Sequence, residues 1–270
     1  MSTYSKEAPS KSCSLDPLPS SVLKDILSEV MPFVAYMCNA SLQDDRLPFI
    51  QRHAVVTHRL KKANADAADA KNYRLISNLT FISKVVETLV CHQLVAFLDT
   101  NGLLRKRQSA YRKHYSTETA VLKVISDALL AADRGEVTLL YLLDLSAAFD
   151  TVDHDILIDR LQAACGIQGT VLSWISSFLK DRTQTVTLAG SRSTTSNVKC
   201  GVPKGSFLGP VLFLLYTAEV TAIAYRHSVG AHSYADDTQL HIHRKAEDLG
   251  SSMPLVTCID EINCWMSPIA

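Results

Sequence analysis

Two adjacent carboxylates, Asp236 and Asp237, sit between two alternating apolar runs, and no other stretch restricts the fold as tightly. Val229, Ala231, Ser233 and Ala235 alternate before them, and Thr238, Leu240 and Ile242 alternate after them. A period of two on both arms predicts a β-hairpin with the acids at its tip. Two like charges at a tight turn repel each other. Aspartate is a good turn former, and two solvated side chains tolerate the pairing. A divalent cation takes oxygen ligands and would neutralise both charges.

The chain has 270 residues, enough for a sizeable core, and its 47% hydrophobic and 20% charged residues argue against wholesale disorder. The net formal charge is zero, so nucleic-acid contact has to come from a local basic patch. Seven scattered cysteines without a C-x-x-C pair indicate neither a zinc site nor a disulfide framework, as expected in a reducing, intracellular compartment. The polar N-terminus is no signal peptide. The longest apolar run, Phe207 to Tyr225, contains Pro210 and Glu219, which predicts a core helix and no membrane span.

Residues 1–14 read as a disordered lead-in. Helices and a finger-like segment follow over residues 15–135. Ser20 or Ser21 caps a helix to about Val30, and Pro32 opens a second one ending near Gln43. His53 to Thr57 reads as a strand leading into Arg59, Lys61 and Lys62, a polar loop, and then Lys71 to Ile76. Those cations suit either a solvated loop or a polyphosphate. Phe81 to Thr100 predicts an amphipathic helix stopped by Asn101-Gly102. Between Asn101 and Thr117 stand five Lys/Arg and no acid, interleaved with Tyr111 and Tyr115. Such a stretch suits a nucleic-acid backbone with aromatic faces for stacking, or else a solvated basic loop. Ser116 caps the next helix.

From residue 136 onward the pattern changes. Val137 to Leu143 is a near-continuous apolar run, which predicts a strand buried on both faces. Asp144 follows it directly, and an acid ending a buried strand needs a partner. Asp150, Asp153 and Asp155 flank the start of the next helix, where the dipole favours acids. A helix at 170–180, a hairpin over 184–202, and the glycine-bounded loop Gly201 to Pro210 precede the opening hairpin. A last helix runs from Ala246 to about Met266. The order predicts an α+β fold, with helices on one face of an antiparallel sheet.

Taken together, these blocks resemble the reverse transcriptases of non-LTR (LINE-type, CR1/L2/Jockey-like) retrotransposons. Asn72 to Leu79 is similar to the family's N-Y-R-P-I-S-N-L. Gln108 to Arg112 with Ser116 to Ala120 is similar to Q-S-[AG]-[FY]-R and S-T-E-T-A. Leu143 to His154 resembles the first catalytic motif, Gly201 to Phe213 the G-V-P-Q-G-S-V-L-G-P-L-L-F block, and Tyr234 to Asp237 the Y-x-D-D box. The resemblance implies the fingers and palm of a right-handed polymerase, with an antiparallel palm sheet over residues 136–270. It implies nucleotidyl transfer from a dNTP to a DNA primer on an RNA template. Asp144, the carbonyl of Leu145, Asp236 and Asp237 would hold two Mg2+ ions, with Mn2+ as a substitute. Arg74, Lys61 and Lys204 would contact the nucleotide, with Lys62 as an alternative to Lys61. Phe149 takes the place of the steric gate, although a core aromatic fits the pattern as well.

Three departures from the family stand out. Lys204 replaces its Gln, Leu75 replaces its Pro, and after Trp265-Met266, where the family continues into a thumb, the sequence gives only Ser267 to Ala270. A non-catalytic, truncated remnant that binds nucleic acid is therefore the alternative expectation.

Overall fold

The structure, a computed structural model, describes residues 13–104, 107–112, 115–145, 148–188, 190–251 and 253–266. Much of the basic stretch lies outside them (Arg105, Lys106, Lys113 and His114), as do residues 1–12 of the lead-in and residues 267–270.

Two N-terminal helices, a short α1 (Ser20–Asp25) and a longer α2 (Leu27–Gln43), break at Ile26 rather than before Pro32. Pro32 is carried inside α2, where it removes one backbone hydrogen bond. Packing overrides that cost, because Val34, Cys38 and Ser41, spaced along one helical face, are all buried. Strands β1 (His53–Leu60) and β2 (Tyr73–Asn78) form the expected strand–loop–strand finger. Helix α3 (Phe81–Thr100) starts where the Asp16 carboxylate accepts from the Phe81 N–H at 2.9 Å. It stops at Gly102, whose φ of +63° suits the residue after a helix. Ser116 and Thr119 close a capping box on α4 (Thr117–Asp133), which leads to β3 (Glu136–Leu143). Asp153 caps α5 (His154–Cys165), and α6 (Gly169–Leu179), β4 (Arg182–Leu188), β5 (Ser191–Arg192) and β6 (Ser196–Val198) follow. Helices α7 (Leu208–Tyr216) and α8 (Ala218–Arg226) divide at Thr217, and β7 (Gly230–Tyr234) and β8 (Asp237–Lys245) form the hairpin. The expected last helix is a 3-10 turn, Ala246–Ser251, and then α9 (Met253–Met266).

These elements make a mixed α+β fold of two compact units, each assembled from two stretches of chain. One takes residues 1–97 and 152–212, the other 98–151 and 213–270.

The first unit holds a mixed sheet in the order β2-β1-β4-β5, with β6 also on β4. The β1–β4 pair is parallel, with Val55 opposite Thr185, so this sheet is not purely antiparallel. Trp174, Phe178 and Leu179 fill the core, and the Trp174 indole N–H donates to the Ser41 hydroxyl at 2.9 Å.

The second unit holds an antiparallel sheet in the order β3-β8-β7. Leu240 and Ile242 pack on one face against Ile223, Leu255, Cys258 and Ile262 of α8 and α9, with Leu139 and Leu143 at the margin. Helix α4 lies against β3 and β7. Strand β3 is an edge, not the doubly buried strand its composition predicts: Leu140 is 50% exposed and Leu142 68%. Its apolar run lines both faces, yet only Leu139 and Leu143 reach the core.

Two helical stretches, Phe81–Thr100 and Leu208–Arg226, are long and apolar enough to cross a membrane by composition alone. More than half of each is buried within the protein, as in core helices.

Candidate active site

The β7–β8 hairpin closes through a two-residue turn, Ala235-Asp236, with Tyr234 paired to Asp237. Ala235 takes a φ of +57°, the sign that a II′-type turn requires of its first central residue and that normally selects glycine. Asp236 is half-buried at the tip, and Asp237 is the exposed first residue of β8. Below the turn, the Ser233 and Thr238 hydroxyls bond across the ladder at 3.0 Å.

Strand β3 delivers the third acid. Leu143 lies opposite Thr238, so Asp144, next on the chain, leaves the sheet beside Asp237. Asp144 is exposed, which removes the expected penalty of a buried charge as the reason for a partner. Like charge supplies the reason instead. The Asp237 carboxyl, though its residue is exposed overall, is raised from its ordinary value by partial desolvation first and then by the negative charges of Asp236 and Asp144. Among the described residues none of the three makes an ion pair. Nor does any group of three His, Cys, Asp or Glu side chains among them converge tightly enough to form a ready-made metal cage. The Leu145 carbonyl accepts from the Ala148 N–H at 3.3 Å and keeps a second lone pair free of that bond. The half-buried Phe149 stacks on the buried Phe213, centroids 4.8 Å apart. A core contact is therefore part of its role.

The cations belong to the other unit. Arg59 faces Arg74 directly across the β1–β2 ladder, and the Lys61 N–H donates to the Asn72 carbonyl at 2.8 Å to close the finger. Like charges opposite each other destabilise a strand pair. Arg59, Lys61, Lys62 and Arg74 line an open cleft of about 530 Å3, suited by charge to an anion. Leu75 pairs with His58 in an unbroken ladder.

The half-buried Lys204 is tied to the same finger through its backbone, its carbonyl accepting from the Ser77 N–H at 2.7 Å. Gly205 then passes so close that a Cβ there would lie 2.6 Å from the Ser77 oxygen, at a φ of +127°. Only glycine fits this approach.

Sequence reasoning missed what holds that loop. Glu87, fully buried in α3, accepts from the Phe207 N–H at 3.2 Å and from the Ser83 hydroxyl at 2.9 Å. Burial pushes its carboxyl up, and the charge of Arg182 is the largest influence pulling it back. Arg182 is itself 2% exposed, donates to the Phe178 carbonyl at 2.9 Å and stacks on the Phe178 ring. An acid inside the apolar stretch Phe81 to Val90 was the one available signal.

Residues 60–268 match the family model described as reverse transcriptase (RNA-dependent DNA polymerase). The chain is similar to the RNA-directed DNA polymerase from mobile element jockey of Drosophila melanogaster, at 26% identity over 96% of this chain and 28% of the relative. The probable RNA-directed DNA polymerases from transposon X-element and transposon BS of the same fly are 27% and 28% identical, over 76% and 85% of this chain. Of those two relatives it covers 22% and 26%, so the chain spans roughly a quarter of the length of the curated relatives it matches. With the family model covering most of its length, the chain belongs to the reverse transcriptases.

Proposed function

We propose that this chain is the fingers and palm of an RNA-directed DNA polymerase that adds dNTPs to a DNA primer on an RNA template. One observation carries the reading: three carboxylates stand at neighbouring strand ends on one end of a sheet, the charges of Asp236 and Asp144 act on Asp237, and none of the three makes an ion pair among the described residues. Excess negative charge of that kind fits hard divalent cations with oxygen ligands. Asp144, Asp236, Asp237 and the Leu145 carbonyl would hold two Mg2+ ions, with Mn2+ as a substitute. When bound, the cations supply Lewis-acid charge neutralisation and lower the pKa of the primer hydroxyl.

The chain's own residues do the rest. The acids fix where the cations sit, and the half-buried turn holds Asp236 at a defined point. Arg74, Lys61 and Lys204 take the triphosphate, which needs positioning and charge more than covalent help. Phe149, braced by Phe213, excludes a ribose 2′-hydroxyl. Arg112, stacked over Tyr115 at 5.0 Å, and Tyr111 offer a cationic and aromatic surface to nucleic acid. In the reaction the primer 3′-oxygen bonds to the α-phosphorus as the bond to pyrophosphate breaks, and the hydroxyl proton is lost.

Primer extension on poly(rA)/oligo(dT) with Mg2+ tests the reading. Incorporation by the wild-type chain, reduced to background by Asp236→Asn, is the expected result. No incorporation at high protein concentration, or equal incorporation by the variant, overturns it.

A further inference from the structure

We propose that Gln108 is a positioning residue for Asp236, its carboxamide holding the backbone of the Ala235-Asp236 turn in the conformation that aims the acid. The inference rests on the polymerase reading for its catalytic consequence.

The hold is built from two layers. In the backbone layer, the segment from Arg107 runs alongside β7. The Ser109 N–H donates to the Ser233 carbonyl at 3.0 Å, and the Ser233 N–H donates to the Arg107 carbonyl at 2.9 Å. A parallel bridge between Gln108 and Ser233 results, and the Ser109 hydroxyl bonds the His232 Nε2 at 3.0 Å. In the side-chain layer, Gln108 Oε1 accepts from the Ala235 N–H at 3.2 Å, and Nε2 donates to the Ala235 carbonyl at 3.5 Å. Oε1 also accepts from the Ala110 N–H at 3.0 Å, which orients the amide.

Both backbone groups of Ala235 are thus read by one carboxamide. Ala235 is the residue at φ +57°, and its carbonyl belongs to the peptide that precedes Asp236. Fixing the two groups fixes the dihedrals of Ala235 and, through them, the direction of the next Cα–Cβ bond. Gln108 is 8% exposed, so water does not compete freely for these bonds. The chemistry is specific to glutamine. Glutamate accepts but cannot donate to the carbonyl, and it adds a charge beside three acids. Asparagine is one methylene short.

Gln108→Asn and Gln108→Ala in the full chain test the proposal through Ala235 amide exchange, dNTP kinetics and thermal unfolding. Loss of the hold is expected to speed exchange at Ala235 about tenfold, the scale of one buried hydrogen bond. It is expected to lower kcat about 100-fold, the scale of an ångström-sized misplacement, with KM for dNTP little changed. Adding Ala235→Gly to Gln108→Ala relieves the positive φ, so the melting temperature recovers while kcat stays low. Unchanged exchange at Ala235, or recovery of kcat along with stability, overturns the proposal. If the wild-type chain incorporates nothing, the polymerase reading falls on its own. In that case faster exchange in the variants still supports the hold on the turn, and unchanged exchange overturns it.

Discussion

Replacing Glu87 with leucine removes the acceptor of the Phe207 N–H and leaves Arg182, 2% exposed, without the acid that acts on it. The Arg182 Nη2 already lacks a hydrogen-bond partner among the described residues. The two side chains influence each other without forming an ion pair, so deleting one costs about 1–3 kcal/mol for the buried polar group left behind, over and above any orphaned amide. Converting both members to apolar residues is often neutral or stabilising, so Glu87→Leu with Arg182→Met is expected to recover most of that loss. What remains is the orphaned Phe207 amide, worth about 1–3 kcal/mol. The double variant should therefore lie well below the sum of the two singles. Urea unfolding measures this, and the two tryptophans make it local. Trp174 belongs to the unit that contains Glu87, and Trp265 to the other. A Trp265→Phe background lets fluorescence report the Glu87 unit alone. A single-variant loss under about 1 kcal/mol, or additive losses in the double, would refute the claim that this pair is mutually dependent.

Ala235→Gly removes a positive-φ strain and should stabilise the chain by about 1 kcal/mol in the same unfolding assay. Gly205→Ala drives a methyl into the Ser77 carbonyl and should cost about 2–3 kcal/mol, with KM for dNTP raised if the loop holds phosphate. Asp237 has its folded pKa raised, so its contribution to stability is fully present below the unfolded value and is lost as pH rises through the folded one. Melting of Asp237→Asn against wild type should thus show the variant gaining as pH rises toward neutrality, and a flat difference would contradict the sign. Mg2+ at a hundredfold excess over its Kd should stabilise wild type by about 2.7 kcal/mol, and chelation or Asp236→Asn should remove that increment.

The parts of the fold written in local chemistry were readable. The alternation around residues 229–242 gives the hairpin, Ser116 and Asp153 give helix starts, and Asn101-Gly102 gives a stop. Sheet order is not local. Val137 to Leu143 reads as a central strand because apolar residues occupy both faces, yet β3 has a single neighbour. Asp144, at the end of that edge strand, is exposed, and strand composition does not encode its exposure. The parallel pairing of β1 with β4 joins residues 130 apart in sequence, beyond any turn signal. At the candidate site the acids were legible because adjacent carboxylates are chemically unusual. Gln108 and Glu87 were not, because each acts through a backbone group that any residue could present.

The division of each unit between two stretches also orders events during synthesis. Residues 1–97 wait for 152–212, and a ribosome adding about 5–20 residues per second takes on the order of ten seconds to cover that gap. Meanwhile β3 emerges with its apolar face uncovered and Asp144 alone. The strand that pairs with it, and the two acids that repel it, arrive only with residues 236–245. The nascent chain is thus most adhesive in mid-synthesis, and the electrostatic conflict among the three acids enters as the final sheet closes. Slowing translation after residue 151 should therefore promote aggregation, whereas slowing it before residue 97 should not.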